Sequence, residues 1–298
     1  MQATRYLGTV AACAVLALTS ACGASGDGAS GADRTSAGSA GRQFQNCTLT
    51  GKAGQYKLDT VKPDVLTIKA DLPSAGWWNG DTVDQIDSGY EYCLAAEIAH
   101  LSGLKGIDLQ NVSFDQLVSG TLTGYDLSLD EISITPEREK VVAFTDPYYE
   151  SSIGVLSKSD GSVSASRLRG LTLGVKEGTA AQAWVKDVLK PSSPARVFPG
   201  DAEALAGVVS GQVDAYLQDV AIELGQAKKS GGQVEVAGQY QTDEAYGAML
   251  PKGSSNLATL NKIIGQLESE GYLDKLSSQF LGPAFGGDPA EIPVWTVQ

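Results

Sequence analysis

A guanidinium, a hydroxyl and a row of free backbone N–H groups fall together in the stretch Ser128-Leu-Asp-Glu-Ile-Ser-Ile-Thr-Pro-Glu-Arg-Glu-Lys140. Ile132 and Ile134 alternate with Ser133 and Thr135, the period of a half-buried strand. Thr135 then reads as an N-cap, with Pro136 at the first helical position and Glu137 and Glu139 in the first turn. A strand that becomes a helix here aims Ser133, the helix-start N–H groups and Arg138 at one point. That point suits an anion. A carboxylate matches the planar fork of arginine, and N–H groups at a helix start add to the attraction. A zwitterion needs a second, negative group for its ammonium, and Asp219 offers one.

The elements that must position these groups are legible as alternating strands and helices. Val65 to Ala70 reads as a strand left at Asp71, and Leu94, Ile98 and Leu101 mark a helix ending near Gly103. Phe114 and Leu117 precede the stretch quoted above. Val141 to Phe144 begins an extended run that Thr145-Asp-Pro-Tyr-Tyr149 is expected to break. Leu171 to Lys176 reads as a strand, Glu177 to Ala180 as a turn, and Ala181, Trp184, Val185 and Val188 as a helix face. Leu205, Val208 and Val209 suggest another helix, followed by strands at Val213 to Leu217 and Tyr246 to Leu250. Leu257, Leu260, Ile264 and Leu267 form the last strong helical stripe. This alternation means an α/β fold with largely parallel sheets. In such sheets ligands sit beyond the carboxyl ends of strands, near helix N-termini. Asp71, the Ser133–Arg138 stretch, the turn at Gly178, Thr179 and Ala180, and Asp219 all lie at strand ends.

The chain of 298 residues carries a formal charge of −13, which argues against nucleic-acid binding. Its first residues, with Arg5 before an apolar run from Leu7 to Leu18, have the form of a secretory signal, residues 1–21. That run is too short to span a bilayer, and no later run is long or apolar enough to do so. Leu18-Thr-Ser-Ala-Cys22 resembles a bacterial lipobox, in which Cys22 would be lipidated. Thr19 stands where leucine is usual, and Thr-Ser-Ala also suits ordinary cleavage. The Gly-, Ala- and Ser-rich residues 22–44 read as a flexible tether. Apart from Cys13 in the signal and Cys22, the cysteines are Cys47 and Cys93, an even pair in an exported chain. They are expected to form a disulfide, with two buried free thiols as the alternative. The lone His100 has no partners that suggest a metal site, and no cofactor is implied.

Six ordered motifs bring a family into view: Phe114-Asp115 before a helix, Ser133-Ile-Thr-Pro-Glu-Arg138, Phe144-Thr-Asp-Pro-Tyr-Tyr149, Gly174-Val-Lys-Glu-Gly-Thr179, Gly211-Gln-Val-Asp-Ala-Tyr-Leu-Gln-Asp219 and Tyr246-Gly-Ala-Met-Leu-Pro-Lys252. With them, Leu66 to Leu281 resembles the family-3 bacterial extracellular solute-binding proteins, the amino-acid receptors of ABC importers. The resemblance implies a two-lobed periplasmic-binding-protein type II fold with two crossing hinge strands. Lobe 1 would hold 45–150, completed by 248–298, and lobe 2 would hold 151–247. It further implies that Arg138 and Ser133 grip an α-carboxylate, Thr179 and Ala180 close on it, and Asp219 receives the α-ammonium. Phe114 would stack on the ligand side chain, which Asp71 would read. The expected partners are an amino acid, a membrane permease and, through Cys22, the membrane; a monomer is expected.

The sequence departs from the family in places. Gly89-Tyr-Glu-Tyr-Cys-Leu94 puts Cys93 near a customary aspartate, which supports its pairing with Cys47. Pro73 and Ser74 replace an aromatic after Asp71, so Trp77 or Trp78 would supply a second wall, with edge packing as the alternative. Glu131 replaces a small residue whose carbonyl helps to bind the ammonium. Asp71 and Glu131 are expected to stand as unpaired carboxylates favouring polar or basic side chains, while Lys176 is expected to face solvent, with neutralising one of these carboxylates or greeting an acidic ligand as the alternatives. Each site residue also has a structural use: Arg138 on an acid-rich surface, Asp219 or Thr179 as a cap, Phe114 in a core. An alternative function is a secreted enzyme resembling cyclohexadienyl dehydratases, with Glu131 the candidate acid or base. An extracellular sensor lobe would need a transmembrane helix or signalling domain, and no later run reads as one.

Overall fold

The computed structural model describes Phe44 and residues 46–297; the expected signal, Cys13, Cys22 and nearly all of the tether lie outside the described residues. The chain begins its first body with β1 (Val65–Ala70), α1 (Tyr90–Leu101), β2 (Gly106–Asn111), α2 (Phe114–Val118) and α3 (Pro136–Glu139). The long strand β3 (Val142–Lys158) leaves it for a second body of α4 (Ala165–Leu168), β4 (Leu173–Lys176), α5 (Ala180–Trp184), β5 (Arg196–Phe198), α6 (Asp201–Ser210), β6 (Ala215–Asp219) and α7 (Val220–Lys229). The equally long β7 (Val234–Pro251) returns to α8 (Leu257–Ser269), α9 (Tyr272–Leu276) and α10 (Gly282–Phe285).

β1 and β2 pair in parallel, and the second sheet has the order β5-β4-β6-β3-β7. Its β4 is parallel to β5 and β6, whereas β3 runs antiparallel to both β6 and β7. The β3–β7 ladder extends from Val142 opposite Pro251 to Lys158 opposite Val234. It is the crossing of a two-lobed type II binding-protein fold. The expected break at 145–149 is instead a set of register shifts around Pro147 in a continuous strand. Proline removes one ladder donor, and the strand accommodates it by bulging rather than ending.

The expected strand around Ile132 and Ile134 does not form. Ser128 and Ser133 make isolated bridges to Met249 and Tyr246 of β7, and between them Glu131 adopts a left-handed φ of 47°. That conformation costs an ordinary residue about 1–2 kcal/mol. It is held because the Glu131 N–H donates to Glu91 Oε1 at 2.8 Å instead of to a ladder.

Two large cores and a smaller cluster of Phe114, Leu117, Tyr125, Ile132, Val142 and Met249 support the bodies. Leu66 and Ile68 of β1 join Leu94, Ile98 and Leu101 of α1 and Ile263, Ile264 and Leu267 of α8 in one. Val155, Leu173, Val175, Ala181, Val185 and Leu217 lie in the other. α1 is buried almost all round, including Glu91 and Glu97. Its start is fixed by Gly89, where a Cβ would come within 2.1 Å of the Trp77 carbonyl oxygen. Glu97 accepts from the Thr50 N–H at 2.9 Å and hydroxyl at 2.8 Å, securing the N-terminal segment.

Near the C-terminus, α10 packs against α7, while Phe285 lies 6.5 Å from Trp77 by ring centroids. Residues 289–295 then lie along β7. The Trp295 N–H donates to Gln239 O at 2.7 Å, and Gln239 Nε2 donates to the Pro289 and Ile292 carbonyls.

Cys47 and Cys93 form a disulfide across a separation of 46 residues, joining the N-terminal segment to α1. Closing a loop of that length in the unfolded chain gives about 4 kcal/mol in the chain-entropy account. The Cys47→Ser, Cys93→Ser double variant is therefore expected to unfold in urea with about 2–4 kcal/mol less stability. A loss below about 1 kcal/mol would show that the bond does not constrain the unfolded chain.

Candidate ligand-binding site

Asp71, Phe114, Glu131, Ser133, Arg138, Thr179, Ala180 and Asp219 all line one cavity of about 250 Å³ between the two bodies. Glu131 and Ser133 lie in the irregular segment before α3, and the others come from the elements themselves or their ends. Asp71 follows β1, Phe114 opens α2, and Asp219 ends β6. Thr135 caps α3 by accepting the Arg138 N–H, and Thr179 caps α5 by accepting from Gln182 N at 3.1 Å.

Arg138 is the centre of the arrangement. Its Nη1 donates to Ser133 O at 2.6 Å and its Nη2 donates across the cavity to Gly178 O at 2.9 Å. Gly178 offers that carbonyl from a turn at φ 76°, a conformation glycine adopts without a Cβ penalty. Burial lowers the guanidinium to about 10, although Asp219 and Glu244 pull the other way. It remains charged at neutral pH. Phe114 lies beneath it, the guanidinium carbon 5.4 Å from the ring centroid, and Lys176 Nζ is 5.1 Å from the same ring.

Asp219 occupies the N-cap position of α7 without making a side-chain cap bond. Its carboxylate instead accepts from the Tyr246 hydroxyl at 2.6 Å, and burial raises it to about 6. Glu244, also on β7, is raised to about 8 by burial and by Asp219.

Lys176 does not face solvent. It closes the gap between the bodies, bonding Asp71 at 2.8 Å and Asp201 at 3.0 Å. Burial alone would lower this ammonium, but Asp201 and Asp71 outweigh it and hold Lys176 above its ordinary range. Asp71 is thus paired, contrary to expectation. The acid without a cation of its own is the next pair along the floor, Asp130 and Glu131. Burial raises both, and each is raised further by carboxyl neighbours. Glu131 accepts from the Ser74 hydroxyl at 2.6 Å.

Trp77 and Trp78 do not supply a wall. Both are buried in an aromatic cluster with Tyr90, Tyr92, Tyr149 and Tyr246, and Trp78 Nε1 donates to Glu91 at 2.7 Å. Leu72, Pro73 and Ile222 join Phe114, Ala180 and Ala202 as the apolar lining instead. Sequence reasoning also missed Asp130, Asp201 and Gln218. Asp201 could have been found as the first-turn acid of a helix whose start follows a strand end, the setting used to find Thr179.

Among the lining residues, Asp71, Asp130, Glu131, Asp201, Glu203 and Asp219 are acids, and Arg138 and Lys176 are the bases. The cavity therefore has opposite charges for the two ends of a zwitterion and an excess of acid around the remainder.

The sequence profile of the bacterial extracellular solute-binding proteins, family 3, matches residues 81–283. The chain belongs to this family. It is 30% identical over 177 residues to ABC transporter arginine-binding protein 1 of Escherichia coli (strain K12), spanning 57% of this chain and 72% of that protein. With the ABC transporter glutamine-binding protein GlnH of Bacillus subtilis (strain 168) it shares 28% identity over 282 residues, 92% of this chain and 94% of the relative. The solved structure of an ancestral arginine-binding protein bound to arginine superposes with a TM-score of 0.66 at 28% identity, covering 73% of this chain and 98% of that one.

In this solute-binding protein, Glu91 supports the cavity floor from behind. It accepts from the Tyr148 hydroxyl, the Glu131 N–H and Trp78 Nε1, while burial raises it from 4.5 to about 7. The folded protein binds this proton more tightly than the unfolded chain does. The stabilisation is therefore full below pH 4.5 and is lost as pH rises through 7. Over that window it amounts to on the order of 3 kcal/mol. Urea titrations between pH 5 and 8 are expected to show Glu91→Gln losing less stability than wild type by about this amount. Parallel profiles would mean that Glu91 is ionised throughout the range.

Proposed function

We propose that this protein captures an amino acid between its two lobes outside the cytoplasmic membrane and presents it to an ABC import permease. Lobe 1 is residues 45–150 with 248–298, and lobe 2 is residues 151–247. The observation that carries the reading is the bipolar cavity, with buried Arg138 and Asp219 contributed by different bodies and lining the same space. The ligand carboxylate lies on Arg138 and the Ser133 N–H and hydroxyl, and Thr179 and Ala180 approach it from lobe 2. The α-ammonium goes to Asp219. Phe114 meets the side chain, whose end reaches towards Asp71 and Glu131. The acid excess favours a polar or basic side chain over an acidic one, in keeping with the arginine- and glutamine-binding relatives. Binding proceeds without chemical change to the ligand, and the folded part acts as a monomer.

Cys22, after removal of residues 1–21, carries a lipid that anchors the protein through the tether 22–44. Labelled fatty acid is expected in the wild type and absent from Cys22→Ser; equal labelling of both would remove the anchor.

Mass spectrometry of ligand released from the denatured protein identifies the amino acid, which is expected to emerge unaltered. Calorimetry with that amino acid is then expected to show Arg138→Ala binding some tens to thousands of times more weakly, since leaving one partner of a buried charge pair alone costs roughly 2–5 kcal/mol. Circular dichroism of the variant checks that the fold is kept. An affinity within about threefold of wild type would show that Arg138 does not hold the carboxylate.

A further inference from the structure

Asp130 lines the cavity, is 2% exposed, and uses its two oxygens unequally. Oδ1 accepts the Asp71 N–H at 2.9 Å, whereas Oδ2 is buried with no hydrogen-bond partner. A buried acceptor left unsatisfied is costly, and more so when charged. Lys176 does not serve it, being bonded to Asp71 and Asp201. Nor is Arg138 available: its terminal nitrogens hold the Ser133 and Gly178 carbonyls, and under the function proposed above the rest of the fork takes the ligand carboxylate. An α-ammonium at Asp219 and an α-carboxylate at Arg138 would account for the head of a ligand and leave the negative floor uncompensated. A neutral amide could meet Oδ2 only while the floor keeps a proton; a cation both partners Oδ2 and favours the ionised floor.

We propose that the free oxygen of Asp130, flanked by Glu131, is the subsite for the cationic end of a basic amino-acid side chain. The inference rests on the amino-acid-receptor reading and assigns the part of the ligand that reading leaves open. It also makes capture proton-linked. The charged groups facing the pair are Asp71 at the end of β1, Glu91 of α1 and Lys176 at the end of β4; Tyr148 of β3 and Tyr246 of β7 also interact with Glu131. Burial, with the neighbouring carboxyls, outweighs Lys176, so without a cation beside it the floor favours keeping a proton. An arriving guanidinium or ammonium favours the ionised form. The carboxyl O–H bond breaks, its electron pair stays on oxygen, and the proton passes to the buffer. A neutral side chain leaves that proton in place.

Calorimetry with L-arginine and L-glutamine, each in two buffers of different ionisation enthalpy between pH 6 and 8, tests this. Arginine is expected to release up to about one proton per site and to gain affinity with rising pH, at most about tenfold per unit. Glutamine is expected to release only the smaller fraction that Asp219, raised to about 6, gives up to any α-ammonium near pH 6, a release common to both ligands. Asp130→Asn, which keeps an acceptor for the Asp71 N–H, should lower the arginine-to-glutamine affinity ratio at least about tenfold and flatten the arginine profile. Glu131→Gln should reduce the proton count. Equal proton release and pH slope for the two ligands in the wild type would overturn the subsite, whether or not the variants fold. So would an unchanged arginine slope in folded Asp130→Asn. Tight arginine binding without proton release would sink the subsite and leave the receptor reading standing, whereas no binding of any amino acid would remove both.

Discussion

The Arg138 guanidinium, beside the Lys176–Asp71 ion pair, ties the two bodies at their shared cavity. Arg138 stands in a helix of one turn, held in place by the Thr135 cap and Pro136, and it donates to a carbonyl on each side of the gap. A buried cation is tolerable only where acceptors and anions surround it. The positions of Ser133, Gly178 and Asp219 answer to that requirement, as does the Phe114 ring beneath the charge. The two carbonyls hold the charge, and a carboxylate would meet the same fork with full negative charge.

Around this cation the acids are graded by what supports them. Asp71 and Asp201 have Lys176, Asp219 has the Tyr246 hydroxyl, and Glu91 has three donors but no cation nearby. Glu131 sits between grades, its side chain held by Ser74 and its backbone bent into a left-handed turn by Glu91. The deviation from regular strand geometry at 128–133 is therefore what turns two consecutive acidic side chains into the floor of a cavity.

Much of this was legible in the sequence because strand ends and helix starts carry local signatures. Thr135-Pro136 and Gly178-Thr179 announce their caps, and the order of the motifs around Arg138 and Asp219 made the fold readable. The residues that escaped notice depend on distant partners. Lys176 looks like any lysine at the end of a strand until the other body brings Asp71 to 2.8 Å. Trp77 and Trp78 have the size of a stacking wall, but their loop packs into the core, the Trp77 carbonyl lying against Gly89 where no Cβ stands in the way. Pro147 is a local strand breaker whose effect the β7 ladder overrides. Local chemistry identifies a group that could bind; only tertiary pairing tells which groups are already engaged.

The C-terminal segment changes the mechanics of the crossing. Two adjacent strands, taken alone, form a ribbon that can flex about an axis across its width. Here α10 straddles the divide, lying on α7 while its Phe285 meets Trp77, and residues 289–295 run on along β7. Only residues 277–281, themselves wound as a π-helix, separate α9 from α10. A wide swing must either peel α10 from one neighbour or unwind that short link. The tail is thus a stop on the arc, and the stiffness of the swing is governed by a joint that does not line the cavity.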